Sequence, residues 1–186
     1  TTALCSPTRS CLLTGRNHHT CAMGGITDLC MGFPGYNGRI PKSCGFVSEV
    51  LRQAGWATMA IGKWHLAKDS DCSASGPQHS WPCQRGFDTF YGFLDAFTNL
   101  HQPHRLTHDN HQVETDRYPD DFYLTDDLTS RAISMIRERK ASNPEQPFGW
   151  PCVDDDALHA TADPFLGARL GPPREGYLRW FRRDDA

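Results

Sequence analysis

The sequence predicts an α/β fold, and two features of its hydrophobic pattern lead to that prediction. Between residues 46 and 61, apolar residues at helical spacing are followed by a glycine and then by an apolar run of strand length. Further along, an amphipathic helix ends in basic residues and prolines just before Phe148, which is predicted to begin another strand. Helices that alternate with buried strands are typical of α/β proteins.

Composition and charge fit a globular chain and argue against two classes of partner. The 186 residues carry a formal net charge of −3, with 38% hydrophobic and 22% charged residues, which suits one domain or part of a larger one. Because acidic and basic residues are interspersed, we expect no nucleic-acid partner and no anionic membrane surface. No apolar run approaches the ~20 residues that cross a bilayer, and the first four residues do not resemble a secretion signal.

The cysteines argue against one kind of metal site. Eight of them are scattered along the chain without any C-x-x-C pair, at Cys5, Cys11, Cys21, Cys30, Cys44, Cys72, Cys83 and Cys152. That spacing does not fit a zinc ribbon. Disulfide bonds and the redox compartment both stay open, because a chain of this length can form a core without cross-links.

The first predicted element after an extended segment at residues 1–4 is a short helix. Ser6 suits the N-cap and Pro7 the first helical position, and the helix is predicted to end at Leu12 or Leu13. Residues 15–42 are rich in glycine and other turn residues and are predicted to form a long loop. Such loops usually belong to a site or to its rim.

A second helix and a strand are predicted next. The helix has apolar residues on one face, namely Phe46, Val47, Val50, Leu51 and Ala54. Gly55 is predicted to end it, and residues 56–61 are predicted to form a buried parallel strand. Residues 67–121 are loop-rich, with aromatic pieces around residues 87–97.

The third helix has the clearest signals. Thr125 suits its N-cap, acidic residues follow in the first turn, and basic residues close the last one. Its apolar stripe consists of Leu128, Ala132, Met135 and Ile136. Pro144 and Pro147 end the helix before Phe148, whereas residues 151–186 have no convincing period of either helix or strand.

Cys5 and Arg9 form the first candidate site. A cysteine beside the start of a proline-initiated helix lies where free backbone N–H groups and the helix dipole favour an anion. Arg9, one turn along, is expected to point back to the same place. The alternative is a half-buried cysteine beside a surface arginine.

Lys63 and His65 form the second candidate site. Both follow the predicted buried strand, and active sites of open α/β sheets gather beyond the carboxyl ends of strands. Residues two apart on an extended segment point the same way. The alternative is a lysine and a histidine on an exposed loop.

Two strings around these residues resemble the signatures of one enzyme family. Residues 5–9 (CSPTR) with residues 13–16 (LTGR) resemble the first sulfatase signature, C-x-P-[ST]-R followed by [LM]-T-G-R. Residues 55–66 (GWATMAIGKWHL) resemble the second, G-[YW]-x-T-x-x-x-G-K-x-H. Residues 32–41, 85–93 and 109–111 also look like bacterial-type arylsulfatases, so the resemblance covers residues 1 to 148.

The resemblance implies a fold, an activity and roles for single residues. The implied fold is an alkaline-phosphatase-like sandwich with a central mixed, mainly parallel sheet, and the implied activity is hydrolysis of sulfate monoesters. Cys5 matches the cysteine that a maturation enzyme converts to formylglycine, whose hydrate attacks sulfur. Arg9 and Lys63 match residues that hold the hydrate and the developing charge, Lys63 also binding the sulfate ester, and His65 matches a base. These implications point to a soluble protein of the bacterial cytoplasm or periplasm.

The family pattern also includes a divalent cation, usually Ca2+, beside the hydrate. Its metal-binding aspartates lie before the signature cysteine and in a later segment. This chain starts at Thr1 and matches neither set, so Cys5, as formylglycine, is the one position carried over to the metal. We therefore expect a partial catalytic domain that is inactive or barely active by itself.

The resemblance weakens after Phe148. The family places a sulfate-binding histidine soon after this strand, and His159 lies near the expected distance, although the residues after Ala160 depart from the pattern. We interpret residues 1–148 as a partial sulfatase catalytic domain. Residues 149–186 are a divergent tail, truncated, read in a disturbed frame or derived from a gene fragment.

Two other functions remain open, as do several residues. The alternatives are a phosphonate or phosphate monoester hydrolase of the same superfamily, and a non-catalytic remnant that binds sulfate esters. Four histidines, at His101, His104, His108 and His111, suit a polar rim loop better than a second metal site. The acidic run at residues 154–156 is expected to be solvated, and Asp28 and Asp88 are given no role.

Overall fold

The protein is represented by a computed structural model that describes residues 2–149 and the strand residues 152–153. None of the helices in this part of the chain has both the length and the apolar character needed to span a membrane. The helices are α1 (Cys5–Thr14), α2 (Val47–Gln53) and α3 (Leu124–Ser142). The strands are β1 (Ala57–Lys63), β2 (Thr89–Phe93), β3 (Leu106–His108), β4 (His111–Gln112), β5 (Phe148–Gly149) and β6 (Cys152–Val153).

The strands form one mixed sheet with β1 near its centre. The order is β4-β3-β2-β1-β5, and β6 also pairs with β1. Strand β1 runs parallel to β2, β5 and β6, whereas β2, β3 and β4 form an antiparallel meander. The predicted buried parallel strand is confirmed, since all of β1 is buried, and it extends to Lys63.

The two faces of β1 belong to two separate cores. Because side chains alternate along a strand, Ala60 packs into one core while Met59 and Ile61 pack into the other. The first core contains the large aromatic residues Trp64, Trp81, Phe46, Phe87 and Phe90. Helix α3 covers the second core through Leu124, Leu128 and Met135. Two of the four residues of the predicted apolar stripe, Leu128 and Met135, are therefore confirmed as buried.

Facing glycines let β1 and β2 approach closely just before β1 ends. Gly62 and Gly92 are partners in the parallel register. A Cβ atom on Gly92 would overlap the carbonyl oxygen of Gly62, and Gly62 itself has a φ of +95°. Only glycine suits both requirements, and the pair fixes the position of Lys63, the next residue.

The start of α1 differs from the prediction. The helix begins at Cys5 with Leu4 at its N-cap, so Ser6 is not the cap. Instead, the Ser6 hydroxyl accepts a hydrogen bond from the backbone N–H of Thr27 at 3.3 Å. Within the predicted extended end at residues 1–4, residues 3–4 form a bend, in which the N–H of Leu4 donates to the carbonyl of Thr2, while Leu4 itself keeps extended backbone angles.

The predicted apolar face of α2 is confirmed only in part, since Phe46 is buried in the first core and Leu51 is half-buried. Val47 and Val50 are 40% and 63% exposed, whereas Ser48 is buried and donates to the carbonyl of Arg85 at 2.6 Å. A buried polar contact therefore orients this helix against the apolar pattern of its sequence. Helix α3 begins at Leu124, so Thr125 lies in its first turn and Tyr123 is the cap.

The remaining predictions divide between the loops and the tail. Residues 15–42 form a long loop as predicted, with a single 3-10 turn at Thr27–Leu29. Strands β2, β3 and β4 lie inside the segment predicted to be loop-rich. The predictions for residues 154–156 and for His159 fall outside the described residues.

Candidate active site

The candidate site lies where the carboxyl ends of β1 and β2 meet the start of α1. Lys63 ends β1, and the N–H groups of the next two residues continue the pairing with β2. Trp64 donates to the carbonyl of Phe93 at 2.8 Å, and His65 donates to the carbonyl of Leu94 at 3.2 Å. His65 has a φ of +49°, a conformation that non-glycine residues adopt only when the surroundings hold them there.

Cys5 and His65 are 60 residues apart in sequence and in direct contact in the fold. The Sγ atom of Cys5 lies 3.0 Å from Nδ1 of His65. Cys5 is the first residue of α1 and is half-buried, so its side chain lies at the positive end of that helix. The two sequence motifs thus meet at one place, as their resemblance to the sulfatase signatures implies.

Arg9 joins the same cluster through the backbone. Its guanidinium donates to the carbonyl oxygen of Lys63 at 2.8 Å. Arg9, Lys63 and His65 are only 4%, 2% and 1% exposed, which argues against the alternative of solvated surface side chains. The Lys63 ammonium lies 5.1 Å from the ring centroid of Phe97, whose side chain is 78% exposed.

The cluster creates a positive environment around residue 5. Burial is the largest cause that lowers the pKa of His65 below its ordinary value, and the charges of Lys63 and Arg9 lower it further. Asp28 acts in the opposite direction without restoring the pKa. The imidazole is therefore neutral near pH 7, and an anion beside it would be stabilised by the two neighbouring cations.

Asp28 is the functional candidate that the sequence did not reveal. It lies in the 3-10 turn of the long loop, and its Oδ1 atom lies 3.3 Å from Nε2 of His65. No motif or period links it to a residue 37 positions away. The only available signal was the length and glycine content of the loop around it.

Asp88, which was also given no role, has a structural contact at the other end of β1. Its Oδ2 atom accepts a hydrogen bond from the backbone N–H of Thr58 at 2.9 Å. Its Oδ1 atom lies 3.1 Å from Nε of Arg52. Asp88 thus stabilises the beginning of the strand whose end carries Lys63.

The residues that the structure describes do not fit a complete metal site. Within residues 2–149, no group of three or more histidine, cysteine, aspartate or glutamate side chains is arranged to hold a metal ion. Three of the four rim histidines have local side-chain contacts, such as His101 with the carbonyl of Phe122 at 2.9 Å. The seven cysteines of this range are all free thiols.

Comparison with known proteins agrees with this geometry. The sulfatase family model matches residues 1–149. The arylsulfatase of Klebsiella aerogenes is 29% identical over 196 residues, covering 98% of this chain and 40% of that enzyme. The crystal structure of Ps i-CgsB superposes with a TM-score of 0.62 at 27% identity, covering 83% of this chain and 35% of that one. BT4656 in complex with its substrate D-glucosamine-2-N,6-O-disulfate gives a TM-score of 0.55 at 25% identity, covering 93% and 30%.

The comparisons confirm the predicted fold class. The structural neighbours are sulfatases, which have the alkaline-phosphatase-like fold, and the chain spans less than half the length of each relative named above. The match to the family model extends through both motifs and ends at the strand that begins with Phe148. Together with the meeting of Cys5, Arg9, Lys63 and His65 at one end of the sheet, this establishes that the chain belongs to the sulfatase family.

Proposed function

We propose that this chain is the nucleophile-bearing part of a sulfuric ester hydrolase that uses a formylglycine derived from Cys5. The observation that carries the proposal is the 3.0 Å contact between Cys5 Sγ and His65 Nδ1. Arg9 and Lys63 are buried next to this contact. A nucleophile, a base and two cations in one place suit attack on an anionic ester.

The chemistry at residue 5 proceeds in two steps. After a maturation enzyme has oxidised the thiol to an aldehyde, water adds to give a hydrate. One hydrate hydroxyl attacks sulfur and gives up its proton, the bond between sulfur and the leaving oxygen breaks, and that oxygen takes up a proton and departs as the alcohol or phenol. His65 then accepts the proton of the second hydroxyl, the aldehyde re-forms, and sulfate leaves. Arg9 and Lys63 stabilise the negative charge that develops on the hydrate and the sulfate.

A divalent cation, usually Ca2+ in this family, would polarise the sulfate when bound. Its one carried-over position is the oxygen of residue 5, and within residues 2–149 no further group of ligands is assembled for it. The two steps described above therefore involve only residues of this chain and not the cation. For the same reason we propose that the chain by itself is inactive or barely active.

The proposed substrate is a small sulfate ester, and an aryl sulfate is the natural first probe. Names of related proteins include an arylsulfatase and a protein whose substrate is a disulfated glucosamine. His159 remains a proposed further contact to the sulfate group. The proposed protein partner is the enzyme that converts Cys5.

Mass spectrometry of the full chain, co-expressed with a formylglycine-generating enzyme, tests the proposal. Trypsin cleavage after Arg9 and Arg16 separates Cys5, in peptide 1–9, from Cys11, in peptide 10–16. We expect peptide 1–9 to lose about 18 Da, the change from thiol to aldehyde, while peptide 10–16 keeps its mass as an internal control. An unchanged peptide 1–9, under conditions that convert a known sulfatase, would contradict the proposal.

Binding and turnover measurements separate the alternatives. The converted chain is titrated with an aryl sulfate and with the matching aryl phosphate, with and without Ca2+. Preference for the sulfate supports the proposal, and preference for the phosphate favours the phosphoester hydrolase. A chain that binds the sulfate ester but keeps the Cys5 thiol, under conditions that convert a known sulfatase, favours the non-catalytic remnant.

A further inference from the structure

The contacts of His65 extend beyond the residues that the family motifs contain. One ring nitrogen, Nδ1, lies 3.0 Å from Cys5 Sγ, and the other, Nε2, lies 3.3 Å from Asp28 Oδ1. The imidazole is almost completely buried. Its two hydrogen-bond partners therefore decide which nitrogen carries the proton.

We propose that Asp28 is a positioning residue that holds His65 in the tautomer with its proton on Nε2, so that the bare Nδ1 faces residue 5. This inference rests on the proposed function for its chemical meaning. A carboxylate can only accept a hydrogen bond, so the nitrogen that contacts Asp28 must carry the proton. The lone pair on Nδ1 is then available for the hydroxyl proton that the proposed second step removes.

The fold supports both ends of this arrangement. Asp28 lies in a 3-10 turn that is fixed to α1 by the hydrogen bond from Thr27 N–H to the Ser6 hydroxyl. Burial and, after it, the neighbouring Asp28 raise the pKa of Asp69, so these two acidic side chains lie close together. The backbone of His65 is held by the carbonyl of Leu94. Residue 5, the imidazole and the carboxylate are thus positioned by three different parts of the chain.

The same three-group logic operates in hydrolases that use a nucleophile, a histidine and a carboxylate. There the carboxylate does not react but fixes the tautomer and orientation of the imidazole. Here Asp28 touches neither residue 5 nor any reacting atom in the described contacts, so its role is positioning rather than catalytic. The burial of His65 increases the effect, because water cannot easily replace a lost acceptor.

Nitrogen NMR of the side-chain imidazoles tests the inference on the unconverted full chain at one neutral pH. The signals of His65 are assigned by their loss in His65→Gln. We expect Nε2 to have the shift of a protonated nitrogen and Nδ1 that of an unprotonated one. In Asp28→Leu, which keeps bulk but removes the acceptor, we expect this preference to be lost. Asp116→Ala, which removes an exposed carboxylate elsewhere, should leave the His65 signals unchanged.

Two results would overturn the inference. The first is a wild-type spectrum with the proton on Nδ1, which needs no variant and so does not depend on whether Asp28→Leu folds. The second is a folded Asp28→Leu chain with the wild-type His65 pattern. Neither result depends on conversion of Cys5 or on turnover, so failure of the proposed function is measured separately, by the mass of peptide 1–9.

Discussion

Strand β1 has buried polar clusters at both of its ends, and the two clusters are built differently. At the amino end, the guanidinium of Arg85 donates to Glu49 at 3.1 Å and to the carbonyls of Ile40 and Cys44 at 2.9 and 2.8 Å. It also lies 4.0 Å from the ring centroid of Phe46. At the carboxyl end, Arg9, Lys63 and His65 gather three basic side chains around one thiol.

The two clusters differ in role: the contacts of the first stabilise the fold, whereas the proposed role of the second is to bind an anion. Around Arg85, a carboxylate and two carbonyls of the chain itself compensate the charge. Around residue 5, burial is the largest cause that lowers the pKa of His65, and the charges of Lys63 and Arg9 lower it further against the opposite effect of Asp28. Under the proposed function the second cluster also binds an anionic ester from outside the chain, whereas the contacts of Arg85 come from the chain itself.

The largest expected effect is on stability at the amino end. Arg85→Met should reduce the free energy of unfolding by about 3 to 5 kcal/mol, because it removes the ion pair with Glu49 and leaves two buried carbonyls without their donor. Urea denaturation followed by circular dichroism measures the change. Arg117→Met is the matched control, since Arg117 is exposed and its loss should cost less than about 0.5 kcal/mol. Equal midpoints for the two variants would contradict the comparison.

The second prediction concerns anion binding at the carboxyl end. Arg9→Lys should weaken the binding of inorganic sulfate about tenfold, because lysine cannot reproduce the planar, multi-donor contact of a guanidinium. Isothermal titration of the folded chain measures the affinity. Arg85→Lys serves as the control and should leave it unchanged. A similar loss in both variants would show that the two clusters do not differ in this way.

A smaller effect is expected where β1 begins. Asp88→Ala should cost about 1 to 2 kcal/mol, since the backbone N–H of Thr58 loses its acceptor in a buried strand. Arg52→Ala removes the other partner of Asp88, but Arg52 is more than half exposed, so it should cost less than about 0.5 kcal/mol. Thermal or urea unfolding of the two variants shows whether the hydrogen bond to Thr58 or the ion pair with Arg52 contributes more stability. A larger loss of unfolding free energy in Arg52→Ala would show that the hydrogen bond from Thr58 is not the main contribution of Asp88.

The smallest expected effect is a pH dependence away from both clusters. Burial raises the pKa of Asp71, but hydrogen bonds from Arg39 and Ser70 outweigh it and hold the pKa below its ordinary value. The resulting stability is present above about pH 4 and is lost as the pH falls through the lowered pKa. Arg39→Met should therefore lose less stability on acidification than the wild type. Urea midpoints at a series of acidic pH values measure this, and parallel curves would contradict it.

Most of the fold around the site was predictable, because local patterns determine it. The run before Lys63 is almost continuously apolar, and that is what a strand buried on both faces requires. The stripe of α3 follows in the same way from helical periodicity. Strand β2 was not predicted because glycine beside aromatic residues is also common in loops. The reason for Gly92 becomes clear only in the fold, where it lies opposite Gly62.

Contacts between distant segments set the limits of prediction from sequence. Ser48 is buried because its hydroxyl meets a carbonyl 37 residues away, so α2 does not follow its apolar pattern. Asp28 meets His65 only when a loop without any period folds against the sheet. By contrast, the grouping of Cys5, Arg9, Lys63 and His65 could be predicted, because each belongs to a motif with many fixed positions; their roles stay predictions.

The left-handed backbone at His65 costs conformational free energy, and the same conformation places the imidazole against residue 5. Glycine would adopt this conformation about 1 kcal/mol more easily, yet the position holds an imidazole against residue 5. Selection for stability alone would favour glycine at this position. In a related chain with glycine at this position, we expect a less strained backbone and loss of the proposed activity.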